Sequence, residues 1–168
     1  MKSLDDVLAM ATREVGAQFF LLPLDGQASV FRERVYCYEL YHQMRRLWRE
    51  DEGYALNGEV DKAGHKKLRE FNADKCKPDF LVHTPGCMDG NFAVIEVKPA
   101  NAPLKGLRKD AQTLRLFLRD VGYQRAIYLL YGEKADEAAE KVRRLCAEDP
   151  FKLEIWAHRY PGTPAVRI

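Results

Sequence analysis

Two short apolar segments of this sequence each carry, at one end, charged residues of types that can do chemistry. KPDFLVH spans residues 77–83 and FAVIEVK spans residues 92–98. The stretch between them, TPGCMDGN, is dense in turn-forming residues, so the two segments are predicted to form a β-hairpin. A symmetric loop, counted outward along both strands, brings Asp79 directly opposite Glu96.

The register of this hairpin decides what the charges can do together. A symmetric loop pairs His83 with Phe92, and Cβ atoms of cross-strand partners such as Asp79 and Glu96 then lie about 5 Å apart, where like charges repel. A divalent cation would offset that repulsion. Lys98 lies two residues beyond Glu96 and projects from the same face of the strand. A slip of one residue would separate the two carboxylates onto opposite faces.

The rest of the hairpin is apolar on both faces, which is typical of strands that are buried on both sides. One face is expected to carry Phe80, Val82, Ala93, Ile95 and Val97, and the other Leu81, Phe92 and Val94. Charged groups at the edge of a buried sheet cost several kcal/mol unless they are paired, coordinated or hydrated. The charged cluster therefore indicates a functional site.

The dipeptide Pro78-Asp79, followed after a spacer by Glu96-Val97-Lys98, resembles the motif of the PD-(D/E)XK nuclease superfamily. The resemblance implies an α/β fold with a restriction-endonuclease-like three-layer core made of a helix, a three-stranded antiparallel meander, a helix and a strand. It also implies a metal-dependent nuclease that hydrolyses phosphodiester bonds, with DNA as the expected partner and an endonuclease as the expected activity. RNA is not excluded. For the short motif alone, a surface salt bridge is the alternative explanation.

The same resemblance assigns roles to individual residues. Asp79, Glu96 and the backbone carbonyl of Val97 would bind Mg²⁺, for which Mn²⁺ would substitute. Lys98 would orient or polarise the attacking water, and partial burial beside the metal is expected to depress its pKa. In many members a Glu of the first core helix reaches the metal, and Glu39 is expected to complete the site in this way. A surface pair with a helical Arg is the alternative for Glu39.

The elements that must position these residues follow from the spacing of apolar residues. We predict helices over residues 3–16, 30–50, 104–121 and 134–147, and strands within 53–60 and over 77–83, 92–98, 125–131 and 151–157. A loop containing Pro23 and Gly26 is expected after the first helix, and the charged stretch 61–74 is either helix or loop. Pro99 ends the strand just after Lys98. The core is thus expected to carry an extra N-terminal helix and a C-terminal helix and strand.

The helix predicted over residues 104–121 has a basic outer face. Lys105, Arg108, Lys109 and Gln112 lie on this face, near the end of the hairpin that carries the carboxylates. These side chains could follow a phosphate backbone, which would set affinity and salt dependence without reading sequence. The resemblance also locates an auxiliary active-site residue near Lys109 and Gln112. A solvated helix face is the alternative.

Length and composition limit the class of protein. The 168 residues, 46% of them hydrophobic, are expected to form a single nuclease-like domain over residues 1–168. The formal net charge of +2 neither favours nor excludes nucleic acid as a partner. Because no apolar run reaches the ~20 residues of a membrane span and the first residues do not form a secretory signal, we expect a cytoplasmic protein with no membrane partner. The four cysteines include no Cys-x-x-Cys pair and are expected to be free thiols.

Two other functions stay open at this stage. The nuclease fold could serve without catalysis as a nucleic-acid-binding or protein-assembly module, although a site freed from catalysis has no reason to keep its costly carboxylate pair. A protein-interaction domain would instead use the aromatic residues of the second predicted helix, which are Tyr36, Tyr38, Tyr41 and Trp48. Their helical spacing favours packing in the core. A homodimer would suit double-strand cleavage, but no helix plainly demands one.

Overall fold

The structure is a computed structural model that describes residues 3–49, 53–60, 66–71, 73 and 75–168. The helices are α1 (Leu4–Arg13), α2 (Ala17–Phe20), α3 (Glu33–Leu47), α4 (Lys66–Glu70), α5 (Leu104–Leu116) and α6 (Ala135–Leu145). The strands are β1 (Leu22–Leu24), β2 (Gln27–Val30), β3 (Ala55–Asn57), β4 (Phe80–His83), β5 (Asn91–Pro99), β6 (Arg125–Tyr131), β7 (Glu154–His158) and β8 (Val166–Arg167). None of the described helices combines the length and the apolar character needed to cross a membrane.

Strands β3 to β8 form one mixed sheet in chain order. Strands β3, β4 and β5 are antiparallel neighbours, β5, β6 and β7 run parallel, and β8 returns antiparallel to β7. Helices α5 and α6 connect the parallel strands, because parallel neighbours need a crossover rather than a tight turn. The predicted α/β class is confirmed. Helix α3, the antiparallel strands β3 to β5, helix α5, strand β6, helix α6 and strand β7 follow one another along the chain, with the short helix α4 between β3 and β4.

Different helices cover the two faces of this sheet. Helices α1 and α3 pack with Phe80 and Ile95 on what we call the α3 face, and helices α5 and α6 pack with Leu81 and Val94 on the α5 face. The division follows from the alternation of side chains along each strand. The predicted faces of the hairpin are confirmed except for Phe92, which packs on the α3 face.

A β-bulge explains the position of Phe92. The pairs from Phe80–Ile95 to Val82–Ala93 are as predicted. At the loop end, His83 pairs with Asn91 instead of Phe92. The loop contains a short 3-10 turn over Met88–Gly90, which closes it asymmetrically. The extra residue of the bulge therefore lies at Phe92, which turns its ring to the opposite face. The register beside the carboxylates is unaffected.

Two other predictions about the elements need correction, and a third element that was left open is partly decided. The expected loop around Pro23 and Gly26 contains β1 and β2, which pair only with each other among the described residues. In the helix predicted over 104–121, the α-helical part ends at Leu116, and a π-helical turn follows it to Val121. Within the charged stretch 61–74, α4 is helical, while residues 61–65, 72 and 74 lie outside the described part of the chain.

The aromatic residues of α3 have different environments. Tyr36 is fully buried, and Tyr41 and Trp48 are half-buried against the α3-face core. The indole of Trp48 donates a hydrogen bond to the carbonyl of Tyr54. These three residues are packing residues, whereas Tyr38 is 66% exposed.

Candidate functional site

Asp79 and Glu96 meet on the α5 face of the sheet. Asp79 immediately precedes β4, Glu96 lies in β5, and the observed hairpin register brings their carboxyl groups into contact. The N–H of Val97 also donates a hydrogen bond of 2.7 Å to Oδ2 of Asp79. Because Glu96 is only 6% exposed, water screens this pair poorly. Two buried carboxyl groups in contact are stable only with a shared proton or a cation.

The ionisation of the pair reflects its burial. Burial raises the pKa of Asp79 to about 6, against the opposing effect of the hydrogen bond from Val97. Burial, followed by repulsion from Asp79 and Asp110, raises the pKa of Glu96 well above its ordinary value. In the absence of a cation, the raised pKa of Glu96 favours its protonated carboxyl group, which donates a hydrogen bond to Asp79.

Lys98 projects from the same face as the two carboxyl groups, but other acids hold its ammonium group. Its Nζ lies 2.7 Å from Oε2 of Glu33 and 2.9 Å from Oδ2 of Asp110. Burial alone would lower the pKa of Lys98, but the hydrogen bonds to Glu33 and Asp110 outweigh burial and raise that pKa. The expected depression of the Lys98 pKa is wrong, and Lys98 is a permanently charged hydrogen-bond donor.

Asp110 is a functional candidate that the sequence reasoning missed. It lies on the inward side of α5, only 6% exposed, next to the core residues Leu107 and Leu114 of the same helix. The hydroxyl of Tyr128 donates to its Oδ2 at 3.4 Å, in addition to the ion pair with Lys98. An acid at a helix position that apolar spacing assigns to the core was the signal that could have identified it.

Helix α3 contributes Glu33 to the site, whereas Glu39, which was predicted to complete it, does not line the cleft. Glu33 is the first residue of α3 and pairs with Lys98. At ~100° per residue, the six positions from Glu33 to Glu39 turn the side chain about 120° away around the helix axis. Glu39 instead accepts a hydrogen bond of 2.6 Å from Gln43 on α3. The alternative named for Glu39 was a surface pair with an Arg of the same helix, and the partner here is instead Gln43.

One cleft of about 600 Å³ is lined by the charged groups of Glu33, Asp79, Glu96, Lys98 and Asp110. Its deep part contains Glu96, Lys98 and Asp110, each of which has a mostly buried side chain. Its rim carries exposed cations from three parts of the chain, which are Arg34, Lys75, Lys77 and Lys109. The cleft is therefore acidic at its base and basic at its mouth.

The four residues of α5 that were predicted to contact nucleic acid are all exposed. Lys109 lines the cleft, whereas Lys105, Arg108 and Gln112 lie outside the lining residues of the described cleft. Of these four residues, only Lys109 would therefore contact a phosphate bound in the cleft. The other three residues could contact only a chain that continues beyond the cleft.

The charges at the base indicate what it can bind. Four carboxyl groups, those of Glu33, Asp79, Glu96 and Asp110, surround the single ammonium group of Lys98. Among the described residues, no cluster of three or more His, Cys, Asp and Glu side chains is arranged to hold a metal ion. Mg²⁺ does not need such a cluster, because it usually binds one or two carboxylates and keeps waters or substrate phosphate as its other ligands. The donor set of Asp79 and Glu96 fits that pattern.

Comparison with known proteins gave no family assignment. No family model matches the sequence, and neither the curated proteins nor the solved structures include a significant match to this chain. The interpretation of the cleft rests on its own geometry and chemistry.

Proposed function

We propose that this protein is a metal-dependent nuclease that hydrolyses phosphodiester bonds, with DNA as its substrate and internal cleavage as its mode. The observation that carries this proposal is the contact between the buried carboxyl groups of Asp79 and Glu96 beside the ammonium group of Lys98. An arrangement that is electrostatically costly without a cation is typical of sites that bind one.

The arrangement of the elements supports a restriction-endonuclease-like core over α3 to β6. A helix, a three-stranded antiparallel meander, a helix and a parallel strand follow one another in that range. Asp79 precedes the second strand of the meander, and Glu96 and Lys98 lie on the third. These are the positions that the resemblance to the PD-(D/E)XK superfamily requires.

Asp79, Glu96 and the carbonyl of Val97 would hold Mg²⁺, and Mn²⁺ would substitute. When bound, the cation would acidify a water molecule and neutralise charge on the scissile phosphate. The proton on Glu96 must leave before the carboxylate can serve as a ligand. Cation binding should therefore release a proton at neutral pH.

Lys98 would act as a donor. Its ammonium group has three protons, and Glu33 and Asp110 engage two of them. The third is available to a phosphate oxygen or to the attacking water. Because its pKa is raised, Lys98 does not act as a general base. Glu33 and Asp110 are positioning residues that fix the direction of this donor.

The basic rim would receive the phosphates on either side of the scissile bond. Arg34 comes from α3, Lys109 from α5, and Lys75 and Lys77 from the segment before β4. Phosphate contacts of this kind give affinity that falls with salt and does not depend on sequence. The sequence preference of the enzyme must come from other contacts.

The test is a cleavage assay with supercoiled plasmid, linear duplex, single-stranded DNA and single-stranded RNA, each with Mg²⁺, Mn²⁺ or EDTA. Glu96→Gln and Lys98→Met should each lower the rate at least a hundredfold, and EDTA should abolish cleavage. The matched controls are Glu140→Gln and Lys141→Met, which change exposed residues of α6. They should cleave at the parental rate.

Two results would refute the nuclease function. One is no cleavage of any substrate by the parent protein under any condition. The other is cleavage that Glu96→Gln and Lys98→Met leave unchanged, because the activity would then come from another site or from a contaminant. A parent that binds DNA without cleaving it would indicate the alternative, a nuclease-fold binding module.

A further inference from the structure

Tyr38 has an unusual position at the mouth of the cleft. At 66% exposure it is the most exposed of the large hydrophobic side chains in the described part of the chain. It also lines the cleft that contains Asp79 and Glu96. A single exposed aromatic residue needs no explanation elsewhere on a surface. Beside a candidate catalytic centre, its ring offers a flat apolar surface to a ligand in the cleft.

Tyr38 belongs to a stripe of α3 side chains along the cleft. Arg34, Tyr38 and Tyr41 follow the four- and three-residue spacing of helix neighbours, and all three line the cleft. Tyr41 is fixed, because its ring stacks on Phe80 and its hydroxyl donates to the carbonyl of Leu56. The stripe thus runs from a fixed aromatic ring through an exposed ring to a cation.

Arg34 is free to exchange its partner. Its Nη2 lies 3.9 Å from Oε2 of Glu59, and the two side chains are 72% and 50% exposed. An exposed pair at that distance contributes little to stability, so a phosphate can replace Glu59 at small cost. Arg34 and Tyr38 together therefore offer one contact for a phosphate and one for a planar ring.

We infer that Tyr38 stacks on an unpaired nucleobase next to the scissile phosphate while Arg34 contacts a neighbouring phosphate, so that the substrate class is single-stranded nucleic acid or a duplex with an unpaired nucleotide at the cleavage point. This inference rests on the proposed function. Stacking on an aromatic side chain tolerates any base, since every base has a π-face.

The form of the cleft favours an unpaired substrate. In a duplex both faces of a base are covered by its neighbours, and exposing one face requires unstacking. The cleft volume of about 600 Å³ lies within the range of sites for single small ligands, ~300–1,000 Å³. Because Glu96 and Asp110 are 6% exposed, the phosphate must enter the cleft to reach them, and a flexible single strand does this without distortion of a duplex.

The test measures binding separately from cleavage. Fluorescence anisotropy in EDTA would follow labelled 12-mer DNA as a single strand, as a full duplex and as a duplex with one unpaired nucleotide. Tyr38→Ala should weaken binding of the single strand and of the unpaired-nucleotide duplex about tenfold to a hundredfold, with the full duplex unchanged. Tyr38→Phe keeps the ring and should bind like the parent.

A control and a spectroscopic readout distinguish stacking from a structural effect. Tyr160 is 51% exposed and lies outside the cleft lining, so Tyr160→Ala should bind all three DNAs like the parent. A 2-aminopurine base in the single strand should lose fluorescence on binding the parent and Tyr38→Phe, and not on binding Tyr38→Ala. A merely structural role for Tyr38 would not reproduce this pattern.

The results separate this inference from the nuclease proposal. Equal single-strand binding by the parent and Tyr38→Ala overturns the inference, as does equal weakening of all three DNAs or no single-strand binding by the parent. Cleavage by the parent in the presence of metal would leave the nuclease function standing in each of these cases. Conversely, Tyr38-dependent binding by a parent that never cleaves supports the stacking contact and refutes the nuclease.

Discussion

The Nζ atom of Lys98 and the Oδ2 atom of Asp110 lie 2.9 Å apart, joining β5 to the inward side of α5. Asp110 is the less exposed partner, with 8% of its side chain accessible against 16% for Lys98. The ion pair therefore lies in the packed layer between sheet and helix. It couples the direction of the Lys98 donor to the stability of the fold.

Replacing Asp110 by Asn should affect both stability and activity. The variant leaves Lys98 buried with Glu33 as its remaining acidic partner, and removing one member of a buried pair costs about 3 kcal/mol. Urea unfolding at pH 7 measures this loss. The pKa of Lys98 should fall, which would move the alkaline limb of the pH–rate profile to lower pH.

An exposed ion pair provides the control for Asp110→Asn. Asp136 pairs with Arg159 while 55% of its side chain is exposed, so Asp136→Asn should cost less than about 1 kcal/mol and leave the pH–rate profile unchanged. Equal destabilisation by the two substitutions would contradict a special role for Asp110.

Glu33 and Glu39 allow a comparison on one helix. Glu33→Gln weakens the hold on Lys98 and should lower the cleavage rate about ten- to a hundredfold, as loss of a supporting contact in a metal site does. Glu39→Gln should stay within about twofold of the parent, because Glu39 pairs with Gln43 away from the cleft. Steady-state rates with Mg²⁺ measure both. Greater loss with Glu39→Gln would reverse our assignment.

Glu96→Gln should make the cation-free protein more stable at pH 7 to 8. Burial raises the pKa values of Asp79 and Glu96 in the folded state, so the pair's contribution to stability is present below pH ~4 and is lost as pH rises through about 6 and above. The neutral amide of Gln at position 96 does not ionise, so the variant avoids this loss of stability as pH rises. The gain should be measurable in EDTA by urea unfolding, and it should vanish near pH 4.

The sign of that change is diagnostic. A Glu96→Gln variant less stable than the parent at pH 8 would mean that the carboxyl pair stabilises the fold. The site would then be structural, and the argument for a cation would lose its basis.

His158 should make the protein sensitive to acid. It is fully buried, with Nδ1 2.7 Å from the hydroxyl of Tyr36, and burial lowers its pKa to about 4. The unfolded chain takes up the proton near pH 6.5, so stability that is present above 6.5 is lost as pH falls toward 4, by about 3 kcal/mol. Unfolding of the parent and of His158→Gln at several pH values isolates this contribution. Parallel pH dependences of the two proteins would contradict it.

The hairpin was the part most open to prediction. Counting outward from a symmetric loop predicted the pairing of Phe80 with Ile95, and that register alone is sufficient to bring Asp79 to Glu96. The bulge at Phe92 could not be predicted, because the asymmetry of the 3-10 turn before it leaves no clear pattern in the sequence. It had no effect on the site, since it lies at the other end of the hairpin.

The two acidic partners of Lys98 could not be predicted from the sequence, for two different reasons. Asp110 occupies a core position of α5, and spacing rules look for apolar residues there. Selecting Glu33 required knowing where α3 begins. The helix was predicted to start at residue 30, so Glu33 was not recognised as the first residue of the helix. The prediction therefore selected Glu39, in the middle of the helix, as the acidic residue that this helix contributes to the site. Three-dimensional contacts, and not residue types, distinguish the two acids.

The most direct test of the central claim is a calorimetric titration of Mn²⁺ into the parent protein and into Glu96→Gln at pH 7, in buffers of different ionisation enthalpy. The account predicts one saturable site in the parent, release of protons on binding, and at least tenfold weaker binding in the variant. Equal affinity in the two proteins, or no binding by the parent, would contradict a cation site at Asp79 and Glu96.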